Sequence, residues 1–161
     1  MLPHPQTVML VSRVALDGVM IDGATHYGLN VSDMDDALAF YRDLLGLDVD
    51  RQFPISDVQS DIVGVDDVEG DITFLDAGGF FIELIAYDAP PNDNIHDTAS
   101  GHDVGVAHLC LEVEDVWKLY EELNEEAEFV EEPKRVGNGA QITYMRDPDG
   151  NYVELMESPD E

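Results

Sequence analysis

The sequence predicts an α+β fold made of two copies of one β-α-β-β-β module. Three observations predict it. A string H-x-x-L-x-V-x-D runs from His26 to Asp33 and again from His108 to Asp115. A second string, D-x-x-G-x-[FY]-[IV]-E-L, runs from Asp76 to Leu84 and again from Asp147 to Leu155. Between the strings the apolar spacing alternates between the two-residue period of strands and the 3.6-residue period of helices, in the same order in both halves.

Each element follows from its residues. Alternation over 25–31 puts Tyr27, Leu29 and Val31 on one strand face and His26, Gly28 and Asn30 on the other. Asp33 is a helix N-cap, with Asp36 at N3. Ala37, Phe40, Tyr41, Leu44 and Leu45 form the apolar stripe, and Gly46 ends the helix. Strands are expected over 48–53, 71–76 and 80–87, and 56–70 has room for a short helix. The polar stretch 89–105, with Pro90, Pro91, Asn92, Asn94, Gly101 and Gly105, reads as a linker. In the second half, 107–113 is a strand and Asp115 an N-cap. Val116, Leu119, Tyr120 and Leu123 make the helix stripe, on or near which Trp117 also reads as core. Strands are expected over 128–131, 141–146 and 151–157. Asp147-Pro148-Asp149-Gly150 marks the last hairpin turn. The order implies an N-terminal extension over 1–24, a first module over 25–88, the linker over 89–105 and a second module over 106–161. Ile72-Thr73-Phe74-Leu75 against Ile142-Thr143-Tyr144-Met145 shows the repeat again.

Composition narrows the partners. The chain has 161 residues, 36 acidic against 7 basic, and a net charge of −29. Such a surface repels nucleic acid and anionic membranes. The acids are spread along the chain rather than gathered in a tail, the bias of proteins from salt-in halophiles, where carboxylates keep a protein soluble and salt screens their repulsion. No EF-hand loop is present to suggest a calcium buffer. Cys110 is the only cysteine, so no intrachain disulfide forms, which fits a cytoplasmic protein. No apolar run reaches membrane-spanning length. The apolar segment 8–16 is broken by Ser12 and Arg13 and lacks a basic segment before it, so a signal peptide is not expected.

The repeat supplies one His and one Glu per half: His26 and Glu83, then His108 and Glu154. Glu83 shares its strand face with Phe81 and Ile85, and Glu154 with Tyr152 and Met156. A carboxylate flanked by apolar neighbours is costly unless a cation pairs with it. One divalent metal satisfies two Glu and two neutral His together. His4, His96 and His102 lie outside the repeat and read as ordinary surface or core residues. Cys110, on the His108 face, has no nucleophile signature and reads as packing. Asp33 and Asp115 are caps rather than catalytic acids. Arg42, Arg51, Lys134, Arg135 and Arg146 are the cations to weigh for an anionic substrate. Arg42 is expected to pair with a nearby acid, whereas Lys134 and Arg135 precede the flexible Gly137-Asn138-Gly139 loop and are the substrate-binding candidates.

At HYGLNVSDMDDALAFYRDLLGLDV (26–49), VAHLCLEVEDV (106–116) and DPDGNYVELME (147–157) the chain resembles the vicinal oxygen chelate superfamily of glyoxalases, bleomycin-resistance proteins and extradiol dioxygenases. The resemblance covers about 25–157. It implies two modules whose mixed sheets curl around a metal-binding cleft, with His26, Glu83, His108 and Glu154 as ligands. A filled quartet disfavours a non-catalytic resistance or binding protein. Extradiol-type dioxygenases use two His and one carboxylate, and acyl-CoA epimerases use a four-residue set. The His/Glu/His/Glu set is most similar to glyoxalase I, the lactoylglutathione lyase type. The implied activity is a lyase/isomerase reaction on a methylglyoxal–thiol hemithioacetal, giving a lactoyl thioester. It would use one divalent ion (Ni, Zn, Co, Mn or Fe), with Glu154 and Glu83 moving the proton. A homodimer is expected. If its modules are swapped, each site combines His26 and Glu83 of one chain with His108 and Glu154 of the other.

Overall fold

The computed structural model describes residues 22–159. The expected extension over 1–24 therefore falls almost wholly outside the described residues. The first sheet contains β1 (His26–Val31), β2 (Asp48–Pro54), β3 (Glu69–Asp76) and β4 (Phe81–Ala89), in the order β1-β4-β3-β2. The second contains β5 (His108–Glu112), β6 (Glu128–Phe129), β8 (Gln141–Arg146) and β9 (Tyr152–Glu157), in the order β5-β9-β8-β6, with β7 (Lys134–Arg135) also paired to β8. Each sheet is mixed. Its first strand runs parallel to its last, and its other pairings are antiparallel. The fold is α+β, as the periodicities predict.

Helices begin where their caps are. Asp33 accepts from the Asp36 amide at 3.0 Å and opens α1 (Met34–Leu38). Asp115 accepts from the Lys118 amide at 2.9 Å and opens α3 (Val116–Leu123). Past Leu38 the first helix widens into a π-helical stretch over Ala39–Leu44, closed by the Leu45 amide on the Phe40 carbonyl. The wider turn lets Phe40 and its neighbour Tyr41 both face the interior, where both are buried. The short helix for which 56–70 had room is α2 (Val58–Val63). The expected strand over 128–131 ends at Phe129. Buried Pro133, which has no N–H to give the ladder, separates it from β7.

One face of each sheet carries the core. Ile82, Leu84 and Ala86 of β4 are buried, as are Val153 and Leu155 of β9. They join α1 and Val116 of α3 in a single cluster that crosses both halves. Burying a side chain such as Leu84 stabilises the fold by about 1.5–3 kcal/mol. The opposite faces alternate with these residues, and they carry His26, Glu83, His108 and Glu154.

The halves are latched by polar contacts around the β8–β9 turn. Buried Tyr41 donates its hydroxyl to Asp147 Oδ2 at 2.9 Å. The Ser32 amide reaches Asp149 Oδ2 at 2.8 Å, and Asn94 Nδ2 reaches the Asp149 carbonyl at 2.8 Å. His96 Nε2 lies 3.1 Å from Asn151 Oδ1, so this histidine serves the latch.

Two candidate half-sites

The four repeated residues form two pairs with the same local construction. In the first sheet the parallel register aligns His26 with Phe81 and Gly28 with Glu83. In the second it aligns His108 with Tyr152 and Cys110 with Glu154. Each register sets a histidine and a glutamate from neighbouring strands on one face, two positions offset. His26 Nε2 lies 3.2 Å from Glu83 Oε2, and His108 Nε2 lies 2.9 Å from Glu154 Oε2. Thr25 Oγ1 lies 2.9 Å from His26 Nδ1 and orients that ring.

An aromatic ring stands edge-on to each histidine. Phe74 is 5.5 Å from His26, and Tyr144 is 5.4 Å from His108, centroid to centroid. These two rings occupy equivalent positions, opposite Glu83 and Glu154 in the β3–β4 and β8–β9 registers. They differ by one hydroxyl. Tyr144 donates it to Glu154 Oε2 at 3.1 Å. Burial, then the hydrogen bond to Glu154 and the charge of Glu154, with a smaller effect from Cys110, push the Tyr144 phenol up to about 12. Sequence reasoning missed Tyr144 as a site residue. Its signal lay in the repeat of 72–75 at 142–145, where Tyr replaces Phe.

The carboxylates are enclosed and the imidazoles open. The side chains of Glu83 and Glu154 are 17% and 11% exposed, against 41% and 48% for His26 and His108. The chain around Gly101 lies against the second half-site. Gly101 lies so close to the Tyr152 ring that a Cβ there would meet it at 2.9 Å. Together with Val106, Val130, His108 and Tyr144 these residues line a cavity of about 290 Å³. A larger cavity, about 400 Å³, opens beside Tyr27, Asn30, Asn94 and His96 and is lined by none of the four repeated residues.

The pairs are not brought together within one chain. Among the described residues, no cluster of three or more His, Cys, Asp or Glu is placed to hold a metal ion. Each pair nevertheless has the donor types and spacing of two ligands of one ion. Bonds of about 2.1 Å at right angles put neighbouring ligand atoms about 3 Å apart.

Other residues depart from expectation. Cys110 is an exposed free thiol on the His108 face, not a packing residue, because β5 is an edge strand and this face lies opposite the core. Burial, then the charges of Glu154 and Glu112, raise its pKa. Trp117 is 38% exposed rather than core, and its indole N–H donates to Gln141 Oε1 at 3.0 Å. Tyr120 is half-buried, edge-on to Phe129 at 5.0 Å. Arg42 pairs with Asp43 at 2.7 Å. Lys134 pairs with Glu132 at 2.6 Å, and neither it nor Arg135 lines either cavity. Arg51 pairs with Asp50 and lies over the Phe74 ring at 3.8 Å, beside the first half-site. Arg146 braces the last turn through the Gly150 carbonyl and the Tyr152 hydroxyl.

The chain belongs to the glyoxalase/bleomycin resistance protein/dioxygenase superfamily, whose family model matches residues 23–155. Its fold is similar to that of a glyoxalase family protein from Bacillus cereus. That match has a TM-score of 0.80 at 22% identity, covering 91% of this chain and 100% of the other. It is similar also to a lactoylglutathione lyase from Agrobacterium tumefaciens (TM-score 0.58, 25% identity, 85% of this chain and 94% of that one). A trypanothione-dependent glyoxalase I from Leishmania major matches with a TM-score of 0.59 at 24% identity, over 84% of this chain and 86% of that one. No curated protein matches the chain in sequence. No helix among the described residues is long and apolar enough to cross a membrane.

Proposed function

We propose that the protein is a divalent-metal-dependent lyase/isomerase of the glyoxalase I type. Its substrate is a methylglyoxal–thiol hemithioacetal and its product a lactoyl thioester. The observation that carries the reading is the pair of matching His–Glu contacts, 3.2 and 2.9 Å, at the same register in both sheets. Carboxylates at both acid positions favour a four-residue set over the two-His, one-carboxylate set of an extradiol dioxygenase.

His26, Glu83, His108 and Glu154 would hold the ion. Because one chain presents them as two separated pairs, the complete site takes the His26–Glu83 pair from one protomer and the His108–Glu154 pair from a second copy, in a homodimer. A bound divalent ion supplies Lewis-acid stabilisation of charge developing next to a carbonyl. The residues do the rest. The two carboxylates, little exposed to solvent, are kept from full hydration and so stay available as bases. Glu154 is the leading base for the proton alpha to the carbonyl, and Glu83 takes or returns it from the other side. Tyr144, Tyr152 and Val130 wall the space beside His108 and seat the apolar part of a small substrate.

The test is metal analysis of protein purified without chelator, followed by lactoyl thioester formation from methylglyoxal and a panel of thiols. One ion per site and activity lost in Glu83→Gln are expected. Substoichiometric metal with no gain on adding Ni, Zn, Co, Mn or Fe would sink the proposal. Ring cleavage with oxygen uptake that survives Glu83→Gln would replace it with a dioxygenase.

A further inference from the structure

We propose that Tyr144 is a positioning residue that fixes Glu154 as a metal ligand and makes the two half-sites unequal. This rests on the metal reading above. The half-sites agree in register, in His–Glu separation and in the edge-on ring beside each histidine. At the ring opposite each glutamate they differ by one atom. Tyr144 carries a hydroxyl where Phe74 has none, and it donates to Glu154 Oε2 at 3.1 Å. That oxygen also faces His108 Nε2 at 2.9 Å, so the hydroxyl holds it where the histidine nitrogen points.

Glu83 has no such brace. Among the described residues its carboxylate meets only His26, at 3.2 Å. A free glutamate side chain loses rotamer entropy when it is captured by an ion, and a braced one has already lost it. Hydrogen-bond partners of metal ligands commonly change metal affinity by about 10–100-fold when removed. Glu154 is therefore pre-organised by its own sheet, while Glu83 is fixed by the ion.

Tyr144→Phe tests this, because it keeps the ring wall and the edge-on contact with His108 and removes only the oxygen. The probe is Co(II) alone, titrated by its visible absorption into the full chain, with thermal melting recorded in parallel. Expected for Tyr144→Phe is Co(II) affinity weakened about 10–100-fold, an altered Co(II) spectrum, and a metal-free protein that still melts cooperatively. The double variant Phe74→Tyr/Tyr144→Phe, which moves the hydroxyl to the Glu83 side, should regain part of the affinity. Co(II) affinity within twofold of the parent in Tyr144→Phe would overturn the positioning role and leave the metal reading standing. A parent chain that takes up no Co(II) would overturn both.

Discussion

Tyr41→Phe removes one oxygen from the contact that ties the first helix to the β8–β9 turn. In the native chain the Tyr41 hydroxyl donates to Asp147 Oδ2 at 2.9 Å, with both residues buried. Hydrogen bonds to a charged partner contribute about 1.5–3 kcal/mol. Asp147 is not stranded by the change. It still accepts from the Asp149 amide at 3.0 Å, the Asn151 amide at 2.8 Å and Asn151 Nδ2 at 2.9 Å. The cost is therefore the hydrogen bond itself, about 1.5–3 kcal/mol, or a melting temperature lower by about 3–12 °C for a chain of this size. The same contact sets a pH dependence. Burial, then the charge of Asp147 and its hydrogen bond, with smaller effects from Tyr27 and Asp149, hold the Tyr41 phenol far above the ordinary tyrosine range. A raised folded pKa gives stability that is complete below the unfolded value, about 10, and is lost as pH climbs toward the folded value. Each pH unit above about 10 removes about 1.4 kcal/mol from the parent through this group and nothing from Tyr41→Phe. The assay is urea unfolding of both proteins at fixed concentration and salt, at pH 7, 9 and 11. Equal midpoints at pH 7, or a gap that fails to narrow by about 1.4 kcal/mol between pH 9 and pH 11, would refute the argument.

Shared sites predict complementation. His26→Ala and His108→Ala should each be inactive alone, and after mixing and subunit exchange should recover about a quarter of parental activity, because half the dimers then carry one intact site. No recovery, despite exchange shown by mass, would place both pairs of a site in one chain. With a net charge of −29, thermal stability should rise as KCl increases from about 0.1 to about 2 M, since the screening length falls from about 10 Å to below 3 Å. A melting temperature flat in salt would count against charge repulsion as a destabilising force. Leu84→Ala should cost about 2–5 kcal/mol in denaturant unfolding, because the leucine is fully buried between the first sheet and its helix. Asp115→Ala should cost about 0.5–2 kcal/mol through loss of the α3 cap, a smaller effect visible in the same assay.

The residues that failed to read correctly share a cause. Trp117 and Cys110 both looked apolar enough to pack, but α3 turns Trp117 outward and β5 puts Cys110 on the face away from the core. Hydrophobicity says that a residue can be buried, and only the neighbouring layer decides whether it is. The π-helical widening after Leu38 is invisible to a 3.6-residue pattern, since it changes the period being counted. β6 ends at Phe129 although the Val130 amide still reaches the Tyr144 carbonyl at 2.8 Å, and where that pairing stops is set only once β8 lies alongside.

What the sequence determined by itself was local or duplicated. Caps at Asp33 and Asp115 bond within their own first turn, so four residues suffice to read them. Strand alternation put the four His and Glu residues opposite the core, because side-chain direction follows from a period of two. Tertiary structure decided everything that depends on which strand lies beside which. The parallel register of β1 on β4 and of β5 on β9 makes His–Glu pairs out of residues more than forty positions apart. The antiparallel register of β8 on β9 brings the Tyr144 hydroxyl to Glu154, and the packing of the halves brings Tyr41 to Asp147. It also keeps the two pairs apart in one chain, which no count of His and Glu reveals, because the distance between two sheets is a property of the core that joins them.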